Sequence, residues 1–257
     1  MNLFYREYGK GENTLVILHG LFGSSDNWMS IAKALEDDYH IYVIDQRNHG
    51  QSPHSEEWNY EVMAKDIAEF IDENIGHETA VLGHSMGGKV AMTLALRYPE
   101  KVKKLLVADI APKYYPIHHR TILDGLLKVE EEKPKSRNDA DKILEEYIPQ
   151  QSIRMFLLKN LGRNSTKELQ WKINLQVINE KIEEVGKAQN EYSSTQIPSL
   201  FVGGENSDYI LDDDKELIRN LFPKSNIIYL KNAGHWLHAE QPESFTKVIK
   251  DFMNYGK

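Results

Sequence analysis

Apolar positions along the chain fall into short runs that alternate with helical stripes. Leu15-Val16-Ile17-Leu18 and Ile41-Tyr42-Val43-Ile44 contain no charged residue, as expected of strands covered on both faces. Between them the spacing of Trp28, Ile31, Ala34 and Leu35 predicts a helix, with Asp26 placed to cap it. Met63, Ile67, Phe70 and Ile71 form a second stripe. Thr79-Ala80-Val81-Leu82 is a third strand, and Val90, Ala91, Leu94 and Ala95 a third helix that Pro99 stops. Leu105-Leu106-Val107-Ala108 follows as a strand. The alternation predicts an α/β fold: a mostly parallel central sheet with helices on both faces.

The pattern breaks at about Ala111. Residues 112–196 carry helical, charge-rich segments and no predicted strand. Their short stripes are Ile143-Leu144-Tyr147, Ile153-Phe156-Leu157 and Leu175-Ile178-Ile182. Alternation resumes with Ser199-Leu200-Phe201-Val202, a helix from Leu217 to Phe222, Ile227-Ile228-Tyr229-Leu230, and a last helix after Pro242. Residues 1–111 and 197–257 are therefore expected to form one core domain. Residues 112–196 form a helical lid over the carboxyl ends of the strands, where α/β sheets bind ligands.

Gly83-His84-Ser85-Met86-Gly87 sits between the third strand and the third helix. A G-x-S-x-G in that setting reads as a nucleophile elbow, whose tight turn needs small residues two before and two after the serine. A serine hydroxyl needs an adjacent base. His235, in the loop after the last strand, supplies it in the chain order Ser, acid, His. His238 is read as a local hydrogen-bond partner, and the His84 side chain is expected to point away from the site. Two acids are open. Asp109 ends an apolar strand, where a carboxylate is costly unless paired. Asp208 is one residue late for the G-x-x-D spacing from Gly204, which falls on Ser207. Asp109 is favoured.

The oxyanion donors should be the amides of Met86 and, in His19-Gly20-Leu21-Phe22-Gly23, of Leu21, with Phe22 the alternative. Asp45 to Ser52 reads as a polar turn in which Asp45 and Arg47 tie loops together. Phe22, Trp28, Tyr114, Phe156, Trp171 and Trp236 are candidate pocket walls.

Charge and composition exclude other classes. The net charge is -8, with Lys and Arg dispersed, which is not the clustered basic footprint of a nucleic-acid surface. The chain has no cysteine, so disulfides, Cys-ligated zinc and a Cys nucleophile are out, and a reducing cytoplasm fits. No run approaches the roughly 20 apolar residues of a membrane span. Residues 1–10 carry Arg6, Glu7 and Lys10 and do not read as a signal peptide. His118 and His119 are adjacent, so they do not share a helix face, and no metal site is expected. A monomer or weak homodimer is expected.

Together these segments resemble an α/β-hydrolase-fold serine esterase, closest to the bacterial YbfF-type esterases and their eukaryotic abhydrolase-domain relatives. The likeness is carried by His19 to Ser24 with Asn27-Trp28, by Asp45 to Gly50, and by Gly83 to Lys89. Asp109-Ile110-Ala111-Pro112, Gly203 to Ser207 and Gly234-His235-Trp236 complete it. The resemblance assigns the acid to Asp109, and the Asp at 208 departs from it. It implies hydrolysis of small carboxylic esters, with acyl-CoA thioesters as a further class, and no cofactor. Competing expectations are a serine hydrolase of carbon–carbon or peptide bonds, and a non-catalytic ligand-binding protein that keeps the fold.

Overall fold

In a computed structural model, residues 1–189 and 192–254 are described. The strands are β1 (Tyr5–Tyr8), β2 (Asn13–Leu18), β3 (Tyr39–Ile44), β4 (Thr79–His84), β5 (Val102–Ala108), β6 (Leu161–Arg163), β7 (Leu169–Trp171), β8 (Ser199–Gly204) and β9 (Ser225–Leu230). Seven of them form one sheet in the order β1-β3-β2-β4-β5-β8-β9, all neighbours parallel except β1 against β3. The chain leaves β2 toward β3 on one side and returns to β4 on the other. That reversal opens a crevice at the carboxyl ends of β2 and β4.

Successive strand residues point to opposite faces, and each face has its own core. Val16, Leu18, Val81, Leu105, Val107 and Phe201 pack against α2 (Tyr60–Asn74), α3 (Met86–Arg97) and the inserted segment. Leu15, Ile17, Ile41, Val43, Leu82, Leu106 and Val202 pack against α1 (Met29–Leu35) and the C-terminal Phe245, Ile249 and Phe252. The α2 stripe is buried as the spacing predicts, and Asn59 caps it by accepting the Val62 amide at 2.9 Å. Among the described residues no helix is long and apolar enough to cross a membrane.

The structure departs from the sequence reading, or adds to it, at three places. Asp26 does not cap α1. A short 3-10 turn, Ser25–Trp28, precedes that helix, with Ser24 at the cap and its amide held by Asn27 Oδ1 at 2.8 Å. Asp26 instead pairs with Arg6 at 2.6 Å, and Ala34 faces solvent. The strand β1 had no apolar run to announce it, because an edge strand carries charge. The insertion is not wholly helical: β6 and β7 pair antiparallel around a turn in which Asn164 Oδ1 accepts the Thr166 and Glu168 amides. Three residues per strand are too few to show an alternating period.

The rest of the insertion is α4 (Arg120–Glu132), α5 (Arg137–Glu145), α6 (Gln151–Leu158), α7 (Leu175–Glu180) and α8 (Glu183–Gly186). Beyond it lie α9 (Asp214–Leu221), α10 (Leu237–Glu240) and α11 (Pro242–Asn254). The insertion is tied down at several points. Asn160 Nδ2 donates to the Phe22 carbonyl at 2.6 Å, Tyr60 Oη to that of Val185 at 2.7 Å, and Lys113 pairs with Asp214 at 2.6 Å. At its stem the buried Lys89 amine donates to the carbonyls of both Lys113 (2.5 Å) and Lys187 (2.7 Å). Burial, then Lys113, pushes that amine down to about 7. Neutral or charged, it keeps two N–H donors.

Candidate active site

Ser85 stands at the turn from β4 into α3 with φ 53° and ψ −118°. The turn closes so tightly that a Cβ on Gly83 would meet the Gly87 carbonyl at 2.1 Å, and one on Gly87 would meet the carbonyls of Leu18 and His19 at 2.4 and 2.5 Å. Only glycine fits at either place. Phe22 (58°) and Asp109 (50°) also adopt the left-handed region. Strained backbone of this kind gathers at functional sites, because surrounding structure must hold it.

Asp109 follows β5 and is fully buried. Its Oδ1 accepts the Gly204 amide at 3.0 Å, and its Oδ2 accepts the Ser207 hydroxyl and faces His235 Nδ1 at 2.8 Å. A buried carboxylate so supplied with donors is satisfied. Because Oδ2 accepts, Nδ1 carries the ring proton and Nε2 is left as the acceptor. Asp208 is exposed on the next turn, so the residue at the G-x-x-D position, Ser207, reaches the carboxylate and Asp208 does not. Glu240 grips the loop carrying His235 on both sides, accepting the Gly234 amide at 2.6 Å and the Trp236 amide at 3.2 Å.

The loop after β2 runs beside the elbow: a Cβ on Gly20 would lie 3.3 Å from that of Ser85. Two buried histidines fix the loop. His19 donates from Nδ1 to the Gly20 carbonyl (2.8 Å) and accepts the Gln46 amide at Nε2 (3.0 Å). His49 donates from Nδ1 to the Arg47 carbonyl (3.0 Å) and accepts the Phe22 amide at Nε2 (3.3 Å). The Phe22 amide is thus engaged. Among the described residues the amides of Leu21 and Met86 meet no protein acceptor. The turn behind the loop is held by Asp45, which accepts the amides of Ser25 (2.6 Å) and Gln51 (2.8 Å), and by Arg47, which grips buried Asp66 in α2 at 2.5 and 2.8 Å.

A cavity of about 260 Å³ opens over these groups. Ser85 and His235 line it with Leu21, Phe22, Trp28, Trp236, and Ile122, Ile153, Phe156 and Leu157 of the insertion. Trp171 does not line it. Its indole is buried within the insertion, donating to the Leu126 carbonyl at 3.1 Å, because the unexpected β7 turns it inward. Tyr114 is exposed. His84 does not point away: its Nε2 donates to the His235 carbonyl at 2.7 Å, and its ring centroid lies 4.7 Å from that of His235. His238 is no hydrogen-bond partner through Nδ1. Its ring stacks on Trp28 at 4.3 Å instead. Burial holds His84 well below the ordinary range and pushes His19 and His238 down to about 4.

His49, Glu240, Ser207 and Tyr209 also shape the site, and sequence reading missed them in that role. His49 and Ser207 lay inside segments it had singled out. Glu240 and Tyr209 carried no signal of their own. Among the described residues no group of three or more His, Asp or Glu is disposed to hold a metal ion.

The family model described as alpha/beta hydrolase fold matches residues 13–242. The sn-1-specific diacylglycerol lipase ABHD11 of Danio rerio is 38% identical, over 98% of this chain and 83% of its own length. Esterase YbfF of Escherichia coli (strain K12) is 32% identical, over 93% of this chain and 92% of its own. A solved marine microorganism esterase superposes with a TM-score of 0.95 at 42% identity, covering 97% of this chain and 98% of that one. The chain belongs to the α/β-hydrolase fold family.

Proposed function

We propose that this protein is a serine hydrolase that cleaves small, neutral carboxylic esters through an acyl-enzyme. The contact that carries the reading is His235 Nδ1 to Asp109 Oδ2 at 2.8 Å, in the same cavity as Ser85. Ser85 Oγ attacks the acyl carbonyl while His235 Nε2 takes its proton. Asp109 keeps the imidazole in the right tautomer and stabilises the imidazolium that forms. The Leu21 and Met86 amides receive the oxyanion. The intermediate collapses with loss of the alcohol, which leaves with the proton from His235. Water then repeats the sequence on the acyl-serine and frees the acid. Relatives named esterase and lipase support this reaction class.

The cavity supports the substrate class. Among the described residues lining it there is no Lys, Arg, Asp or Glu, and burial keeps its histidines His19, His84, His119 and His238 neutral. A charged acyl group would be desolvated there without a partner. Short acyl-CoA thioesters share the reacting carbonyl and are the second substrate class. The segment 112–196 acts as the lid, its apolar side chains closing over the acyl group.

Ser85→Ala tests the chemistry. It should lower ester hydrolysis by about 10³-fold or more and abolish labelling by a fluorophosphonate probe, with the fold kept. Undiminished hydrolysis by the folded variant would refute the mechanism.

A further inference from the structure

Tyr209 stands outside every motif, yet it touches His235 and the Ser207 that supports Asp109. Its ring lies flat on His235, with centroids 3.9 Å apart and planes at 19°. Its amide donates to Ser207 Oγ at 3.3 Å, and that hydroxyl donates to Asp109. Its carbonyl accepts the Tyr115 hydroxyl, which in turn accepts the Ala111 amide at 2.9 Å. Its own hydroxyl lies 3.0 Å from His118 Nε2. The Nδ1 of His118 faces the Pro116 carbonyl at 3.3 Å and so carries the proton, which leaves Nε2 to accept from the phenol.

We propose that Tyr209 is a positioning residue for His235, its ring holding the imidazole in plane and its π face favouring the imidazolium formed during acyl transfer. The effect is electrostatic. An aromatic face carries partial negative charge and attracts a cation stacked on it, more so where water is excluded. The neutral imidazole gains less from the same contact, so the ring favours the charged state that the reaction creates. The carboxylates of Asp109, on the ring, and Glu240, on the amides that flank it, favour the same imidazolium, so the effect of the π face adds to theirs. Asp109 faces it from β5, His84 from β4, His238 from α10 and His119 from the insertion. Burial holds those three histidines neutral. The phenol, pushed up to about 12 by burial and then by Asp109, stays a neutral donor. Its hydroxyl ties the stacked ring to His118 at the entrance of the insertion.

The proposal rests on His235 being the base, so the Ser85→Ala and probe-labelling result is read first. Persistent hydrolysis by that variant would remove the reading of the function and this one with it. With the serine chemistry in place, Tyr209→Leu keeps an apolar cover but loses the π face. It should lower kcat about tenfold with KM within about twofold, and move the acid limb of kcat/KM to lower pH by about half a pH unit. Tyr209→Phe keeps the stack and should retain kcat within about threefold and the acid limb unchanged. A Leu variant with the parent kcat and pH profile overturns the proposal. So does a Phe variant as impaired as the Leu one, since the hydroxyl and not the ring would then matter. Circular dichroism checks folding, and if Tyr209→Leu does not fold, Tyr209→Met takes its place with the same two criteria.

Discussion

Two carboxylates at one edge of the sheet, Asp109 after β5 and Asp208 after β8, differ in everything that decides whether they can hold an imidazole. Asp109 sits on the last bonded step of a central strand, its amide donating to the Val202 carbonyl at 2.8 Å, so its direction is fixed by the sheet. Asp208 lies on an exposed turn and is free to be solvated. Asp109→Asn should therefore lower kcat by about 10³-fold or more, because an amide in that place favours the wrong tautomer of His235. Asp208→Asn should change it by less than about twofold. Steady-state kinetics on the two variants decides it, and the opposite ranking would remove Asp109 from the mechanism. This was also the point at which sequence alone stopped. The elbow, His235 and Asp109 were legible as candidates because each lies at the end of a run whose period names the element. Sequence favours Asp109 over Asp208, because a carboxylate ending a buried strand is costly unless paired, but it does not show the bond to a residue 126 positions away. Tyr209 was invisible for the same reason, as stacking leaves no periodic trace in a loop.

At the level of elements, α6 presents one face to the cavity and the other to solvent. Ile153, Phe156 and Leu157 line the cavity, while Met155 is more than half exposed. The apolar stripe was legible, but its target was not: a stripe says that a face is buried, not against what. Phe156 and Trp236 both line the cavity, with ring centroids 5.9 Å apart. Phe156→Ala should move the best substrate in a series of p-nitrophenyl esters toward longer acyl chains, with the rate on the shortest ester within about threefold. An unchanged chain-length profile would show that this helix does not bound the acyl group. The hairpin β6–β7 marks the opposite case, in which elements of three residues each owe their form to the Asn164 turn and to packing, not to a readable period.

For the molecule as a whole, the buried histidines set an acid limit. Burial pushes His19 and His238 down to about 4 and His49 to about 3, from an ordinary 6.5, and holds His84 well below it. The unfolded chain takes a proton at each of these below about pH 6.5, whereas the folded chain does not until pH 4 or lower. Stability is therefore lost as pH falls from about 6.5 toward 4, with a slope of up to about 1.4 kcal/mol per pH unit for each ring. Tm followed by circular dichroism should drop by several degrees between pH 7 and pH 5. A Tm that stays level across that interval would count against rings kept neutral in the fold.

The clasp that Lys89 makes on Lys113 and Lys187 brings the two ends of the insertion together on α3, the helix that follows Ser85. A segment closed at its stem in this way adds little to the folding cost of the core as it grows, because doubling a loop's length costs only about 0.6 kcal/mol in chain entropy. The stretch between the two carbonyls can therefore change length at little entropic cost to the core, provided that its Asn160–Phe22 and Tyr60–Val185 bonds are kept.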